Sequence, residues 1–160
     1  MRANISFVAV VMAALLVQTA NAVASDAVSA FVDKNNHILG LGAVTEKGGK
    51  VALMMIENSK GDKDALLVHF PDRAAWGRFV SSWNKARATP APNRGWVDID
   101  EVKDPYGVDL SVVKYASGAV GFELDDDRGD NIKQRGFKLD PSLFAAFNSK
   151  ILEISKTIER

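Results

Sequence analysis

The 160-residue chain has no cysteine, two histidines and no net charge. Without cysteine it has no disulfide, no thiol nucleophile and no thiolate metal ligand, and it has no site for lipid attachment after a signal sequence. His37 and His69 are far apart, which argues against a histidine-rich zinc site, although a histidine–carboxylate site stays open. The balance of 20 basic and 20 acidic residues argues against a strongly basic nucleic-acid binder.

The first 22 residues are predicted to be a secretory signal peptide. Arg2 precedes an uncharged run over residues 5–17, and Ala20 and Ala22 fit the small-residue pattern read by a signal peptidase. Cleavage after Ala24 is the alternative. An N-terminal membrane anchor, the alternative to a signal peptide, needs about 20 consecutive apolar residues, and Gln18, Thr19 and Asn21 interrupt the run too early. We expect no membrane span in the mature chain. Residues 23–160 are expected to form one soluble domain, in the bacterial periplasm or outside the cell.

The mature chain is predicted to contain four strands and a helix, repeated once, over residues 27–88 and 95–158 with a linker at 89–94. Asp72 and Asp140 are each suited to cap a helix, and they lie 68 residues apart. Phe79 and Phe147 occupy the apolar faces of these two helices at the same spacing. A segment beginning at Gly49 resembles one beginning at Gly118, with a spacing of 69. The sequence therefore predicts an internal duplication, and the alternative is two unrelated meanders that share common turn chemistry.

The predicted fold is α+β, with two tandem copies of a four-stranded meander plus one amphipathic helix that share a single core. This order of elements resembles the Whirly-type single-stranded-DNA-binding fold. The resemblance is of element order only, with no matching motif, and it implies nothing about function. The chain has no basic aromatic groove, so we expect no nucleic-acid partner.

Two strand segments, residues 51–56 and 65–68, are apolar on both faces and should be covered on both faces. We favour an interpretation in which the two half-sheets pack on each other. The alternative is that a second copy or a different protein covers one face. Charge is also divided, since residues 25–94 carry 10 basic and 7 acidic groups while residues 95–160 carry 9 and 13. That division suits association with a charged partner.

The acidic stretch after residue 124 is the main candidate metal site. Asp125, Asp127 and Asp130 offer oxygens to calcium, but an EF-hand in this register needs glycine at position 130 and glutamate at position 136. A solvated hairpin tip is the favoured interpretation, and a weak calcium site is the alternative. The tripeptide 128–130 is the Arg-Gly-Asp sequence that integrins recognise. A similar tripeptide stands at 60–62, in the matching turn of the first half. We therefore favour a shared turn geometry, over integrin recognition, as the reason for both tripeptides.

No phosphate-binding loop, dinucleotide loop, nucleophile elbow or nucleophile–base pair is present in the sequence. We therefore expect no catalytic residues and no cofactor. The predicted function is an exported envelope binding protein, such as an inhibitor, immunity protein, chaperone or accessory factor, with a protein partner or self-association. The candidate contact residues are Trp96, Met54, Asp126 and Arg128. The alternative is a small periplasmic ligand- or metal-binding protein, or an enzyme, with a cleft between the halves.

Overall fold

The computed structural model describes residues 25–46, 48–58, 64–129 and 133–158. The predicted signal peptide and Asp130 lie outside these ranges. Within them the chain forms β1 Ser25–Val32, β2 Ile38–Glu46, β3 Gly49–Glu57, β4 Leu66–Phe70, α1 Arg73–Ala88, β5 Trp96–Lys103, β6 Val108–Tyr115, β7 Val120–Asp126, β8 Lys133–Leu139, a 3-10 turn Pro141–Leu143 and α2 Phe144–Ile158. Strands β1–β4 form one antiparallel sheet in sequence order, and β5–β8 form a second.

The predicted aspartate Asp72 caps α1, whereas Asp140 caps the 3-10 turn that precedes α2, so α2 begins later than the sequence predicts, at Phe144. The Asp72 carboxylate accepts a hydrogen bond from the Ala75 amide at 2.7 Å, which satisfies an amide in the first turn of α1. The Asp140 carboxylate accepts from the Ser142 amide at 3.1 Å, at the start of the 3-10 turn that leads into α2. None of the helices in the described ranges is long and apolar enough to cross a membrane.

One apolar core joins both sheets and both helices, as the sequence predicts. Trp83 of α1 lies at its centre with no exposed surface. Its ring centroid is 4.8 Å from that of Phe147 in α2 and 6.2 Å from that of Phe122 in β7. Phe31 of β1 contacts Phe147 at 5.2 Å from the other sheet. The two halves therefore bury their apolar surfaces together, and neither half has a separate main core.

The first hairpin of each half turns in the same way. The Asn36 amide donates to the Asp33 carbonyl, and the Gly107 amide donates to the Asp104 carbonyl. Asn36 and Gly107 are 71 residues apart and both have positive φ, 62° and 88°. Asparagine and glycine are the residues that adopt this conformation most readily. The two sheets are thus similar in turn geometry as well as in strand order.

The spacing predicted for the next strand is wrong by one residue. A spacing of 69 matches Leu53 with Phe122. In the structure Leu53 pairs with Gly42 of β2, and Val113, the residue of β6 equivalent to Gly42, pairs with Gly121 of β7. Leu53 is therefore equivalent to Gly121. The correct spacing between β3 and β7 is therefore 68. Phe122 lies in the shared core, whereas Leu53 lies on the opposite face of its sheet. A one-residue shift in a strand exchanges its two faces, so the sequence match placed Leu53 on the wrong side.

The face of the first sheet that points away from the shared core is also apolar. Val44, Val51 and Leu53 form a second buried cluster there, with Leu67 packed against it. The favoured interpretation, packing of the half-sheets on each other, accounts for the inner face of β3. It does not account for this second cluster, which is separate from the shared core.

Each half also holds the last strand of the other half through an aspartate. Asp104 has a fully buried side chain, and its carboxylate accepts from the His69 amide of β4 at 2.5 Å. Asp33 is nearly as buried, and its carboxylate accepts from the Lys138 amide of β8 at 3.4 Å. Both bonds satisfy a strand amide that would otherwise need a partner at a sheet edge. We call these two contacts the aspartate clamps.

Candidate interaction surface on the second sheet

The outer face of the second sheet is the face directed away from the shared core. Side chains alternate between the two faces of a strand, and Leu110, Val112, Phe122 and Leu124 lie in the core. The residues on the outer face are Trp96, Asp98, Glu101, Lys103, Asp109, Ser111, Val113, Tyr115, Gly121, Glu123, Asp125, Gln134, Gly136 and Lys138. It is a mainly polar surface of four paired strands.

The same positions on the first sheet have opposite character. Tyr115 stands where β2 has Val44, and Glu123 stands where β3 has Met55, by the strand registers of the two sheets. Asp109 likewise occupies the position of Ile38. Shared strand geometry therefore does not explain the polar outer face. The polar residues of the second half suit the outer face of its sheet to solvent. The apolar residues of the first half suit the other sheet to burial on both faces.

An aromatic pair occupies one end of the outer face. Trp96 begins β5, pairs with Tyr115 of β6 and has 63% of its surface exposed. The two ring centroids are 6.5 Å apart. Gly95 precedes Trp96 with a φ of 65°, a conformation that favours glycine at the entry to this strand. Large aromatic side chains are seldom this exposed without a reason, and they are enriched in protein interfaces.

Three neighbours fix the ring of Tyr115. A β-carbon at Gly121 would lie 2.6 Å from the Tyr115 ring, so only glycine lets the ring lie over β7. Lys138 places its Nζ 4.2 Å from the ring centroid, in a cation–π contact. The Tyr115 hydroxyl donates to a Glu123 carboxylate oxygen at 3.3 Å. Burial, with a smaller contribution from the Glu123 charge, raises the pKa of Tyr115 above its usual value.

The rest of the outer face carries five carboxylates and two amines. Lys103 donates to Glu101 and to Asp109, each at 2.5 Å. Its hydrogen bond to Asp109 is the main cause of a raised pKa for the Lys103 amine. The second amine, Lys138, lies over Tyr115. Two amines cannot neutralise five carboxylates, so this face has a negative charge at neutral pH.

The predicted contact residues Asp126 and Arg128 bind each other at the far end of the second sheet. Arg128 donates from Nη2 to Asp126 at 2.7 Å and from Nη1 to the Tyr106 carbonyl. The hydrogen bond from Arg128 lowers the pKa of Asp126 to about 2. A β-carbon at Gly107 would lie 2.5 Å from Arg128 Cδ, so a glycine at this turn admits the arginine. This pair holds Arg128, just beyond the end of β7, against the β5–β6 turn.

Met54 does not belong to any surface. Its side chain has no exposed area and lies in the shared core, on the inner face of the central strand β3. The prediction that Met54 contacts a partner is corrected accordingly, since a residue in this position stabilises the fold. Trp96 is the predicted contact residue that presents a large apolar surface to solvent.

Two of the predicted calcium ligands, Asp125 and Asp127, lie within the described residues. Asp125 lies on the outer face of the sheet, and Asp127 is exposed beyond the end of β7. Among the described residues no group of three histidine, aspartate or glutamate side chains is arranged to hold a metal ion. Asp130 lies outside those residues.

Both histidines lie beside the aspartates of the clamps. His69 Nδ1 is 3.6 Å from Asp104, and His37 Nδ1 is 3.3 Å from Asp33. The Tyr106 ring packs edge-on against His69 with the centroids 4.8 Å apart. These contacts fit a structural role for the two histidines.

A small cavity lies between the two halves. It has a volume of about 240 Å³ and is lined by Asp33, Lys34, Asn35, Ser117, Ala119, Lys138 and Asp140. Ligand sites for small molecules usually measure about 300 to 1,000 Å³ and have mostly apolar walls. This cavity is smaller, and a Lys34–Asp140 ion pair of 3.3 Å lies among its lining residues. The geometry favours the exposed sheet face over the cavity as the functional site.

The sequence analysis named Trp96 as a candidate contact residue, and it did not name Tyr115, Glu123 or Lys138. The alternation of apolar and polar residues over 108–112 was the available signal for an exposed face. No protein-family model matches this chain, and no curated protein matches it in sequence.

Proposed function

We propose that the protein is an exported envelope binding protein that contacts a partner protein through the outer face of the second sheet. The observation that carries this proposal is Trp96, exposed by 63% and placed beside the fixed ring of Tyr115. Both helices contribute to the core on the opposite side, which leaves this sheet face available. Export rests on the predicted signal peptide at residues 1–22.

A tryptophan anchor on an accessible face is the usual centre of a protein interface. A few aromatic or arginine residues contribute most of the binding free energy, and neighbouring polar residues complete the contact area. Trp96 has such neighbours in Asp98, Tyr115 and Lys138. The proposal therefore assigns the anchor to Trp96 and leaves Asp126 and Arg128, which are paired with each other, at the margin.

The test is capture of envelope proteins by the mature chain and by two variants. Trp96→Ala is expected to reduce capture of a stoichiometric partner at least tenfold, since anchor residues contribute about 2 kcal/mol or more. Leu152→Ala is the matched control, because Leu152 is 55% exposed but lies on α2. Leu152→Ala should capture as well as the unaltered chain. When the bait protein is produced by export, cleavage of the signal peptide should leave Val23 or Ser25 as its first residue.

Equal capture by the unaltered chain and by Trp96→Ala would contradict the proposal. Equal loss in both variants would also contradict it, because the loss would then not belong to this face.

A further inference from the structure

We infer that the outer face of the second sheet binds an extended, lysine- or arginine-rich segment of its partner, with one cation over Trp96. This inference rests on the proposed function and names the chemistry of the partner. A sheet face with an exposed indole at one end can contact partner segments of many sequences. The charge of the face determines which of these segments it binds.

The charge of the face is the first argument. Five carboxylates lie on it, and its two amines already have contacts within the protein, Lys103 with Glu101 and Asp109, and Lys138 with Tyr115. The other three of these carboxylates belong to Asp98, Glu123 and Asp125, along the same face. A partner segment with positive charge gains from this arrangement, whereas an anionic membrane or a nucleic acid is repelled.

The comparison between the two sheets is the second argument. The equivalent face of the first sheet has Ile38, Met55 and Val44 where this face has Asp109, Glu123 and Tyr115. The two sheets have the same strand order, so the fold requires no acidic residues at these places. They belong to the second half alone, which also carries the excess of acidic residues in the sequence.

The exposed indole is the third argument. A lysine or arginine over a tryptophan face gains about 0.5 to 1 kcal/mol at an exposed site. The cation of Lys138 already uses the ring of Tyr115, at 4.2 Å, which shows that this end of the sheet accommodates an amine over an aromatic ring. Trp96 offers a second ring of the same kind with most of its surface exposed.

The dimensions of the face define the length of the bound segment. Strand β5 runs from Trp96 to Lys103, eight residues. At about 3.3 Å per residue the aromatic end and the Lys103 end are about 23 Å apart. An extended segment of about seven residues spans this distance, and alternate side chains of such a segment point toward the sheet. We therefore expect three or four cations at alternate positions to contact the face.

The experiment measures binding of two synthetic nonapeptides to the mature chain by calorimetry. One alternates lysine with threonine, and the other alternates glutamate with threonine. We expect the lysine peptide to bind at least tenfold more tightly than the glutamate peptide in 50 mM salt. We also expect its affinity to fall at least tenfold in 500 mM salt, because screening weakens contacts between exposed charges.

Variants assign the binding to the face. The triple variant Asp98→Asn, Glu123→Gln, Asp125→Asn should lose most affinity for the lysine peptide, and Trp96→Ala should lose part of it. Asp127→Asn is the matched control, since Asp127 is exposed but lies beyond the end of β7. Urea unfolding of each variant confirms that the chain is folded.

Equal affinity for the two peptides, or unchanged binding by the triple variant, would overturn the inference. If envelope capture depends on Trp96 while neither peptide binds, the partner is not cationic and the proposed function stands. If Trp96→Ala changes neither partner capture nor peptide binding, the proposed function fails as well.

Discussion

Replacing Trp83 with alanine is expected to lower the free energy of unfolding by about 4 kcal/mol, the usual cost of removing a large buried aromatic side chain. Trp83 has no exposed surface and contacts Phe122, Phe144 and Phe147. Its indole nitrogen also donates to Asn148 of α2 at 3.3 Å. Removing this side chain leaves a cavity where the helices meet the second sheet.

Urea unfolding, followed by far-ultraviolet circular dichroism, measures this effect. Trp96→Ala is the matched control, because it removes the same side chain from a surface position and should change stability by about 0.5 kcal/mol or less. Both sheets should unfold in one transition, since they share a core. Two separate transitions, or equal losses for the two tryptophan variants, would contradict the single core.

Asp104→Ala is expected to lower the free energy of unfolding by about 3 kcal/mol, because it leaves two polar amides without their acceptor. The buried Asp104 carboxylate accepts from the amides of His69 and Tyr106. One of these amides belongs to β4 of the first sheet and the other to the turn after β5. The change therefore removes a connection between the halves as well as the turn of one hairpin.

Asp104→Asn tests the cause of this loss. The amide oxygen of asparagine accepts hydrogen bonds, so this variant should retain part of the stability that alanine loses. Asp33→Ala removes the equivalent clamp, in which the bond to Lys138 is longer at 3.4 Å. Because Asp33 also accepts from the amides of Asn35 and His37, a loss of similar size is expected there. Thermal or urea unfolding of the three variants measures their free energies of unfolding and so gives the order of their stabilities. A stability of Asp104→Ala equal to that of the unaltered chain would exclude the clamp as a stabilising contact.

Local pattern predicted most of the fold. Capping aspartates, apolar helix faces and turn residues act over a few positions, so Asp72, Asp140 and the strand order were visible in the sequence. Strand register was not, because a spacing of 68 or 69 gives similar sequence matches but opposite faces for Leu53. The aspartate clamps could not be predicted, since Asp104 bonds a residue 35 positions away and Asp33 bonds one 105 positions away.

The candidate surface was predicted in part. Trp96 follows the linker and begins a strand, and its place beside the linker indicated an accessible aromatic residue. Tyr115 depends on Gly121 and Lys138 in two neighbouring strands, and this arrangement requires the register of β6, β7 and β8. Met54 lies in a segment that is apolar on both faces, where sequence alone does not distinguish a core position from a surface position.

The measurement that tests the central claim most directly is photo-crosslinking in the living cell from position 96. A photoreactive phenylalanine is placed at position 96 in one strain and at position 152 on α2 in another. The account predicts a single partner adduct from position 96 and none from position 152. Adducts of equal yield from both positions, or an adduct from position 152 alone, would contradict docking through the outer face of the second sheet.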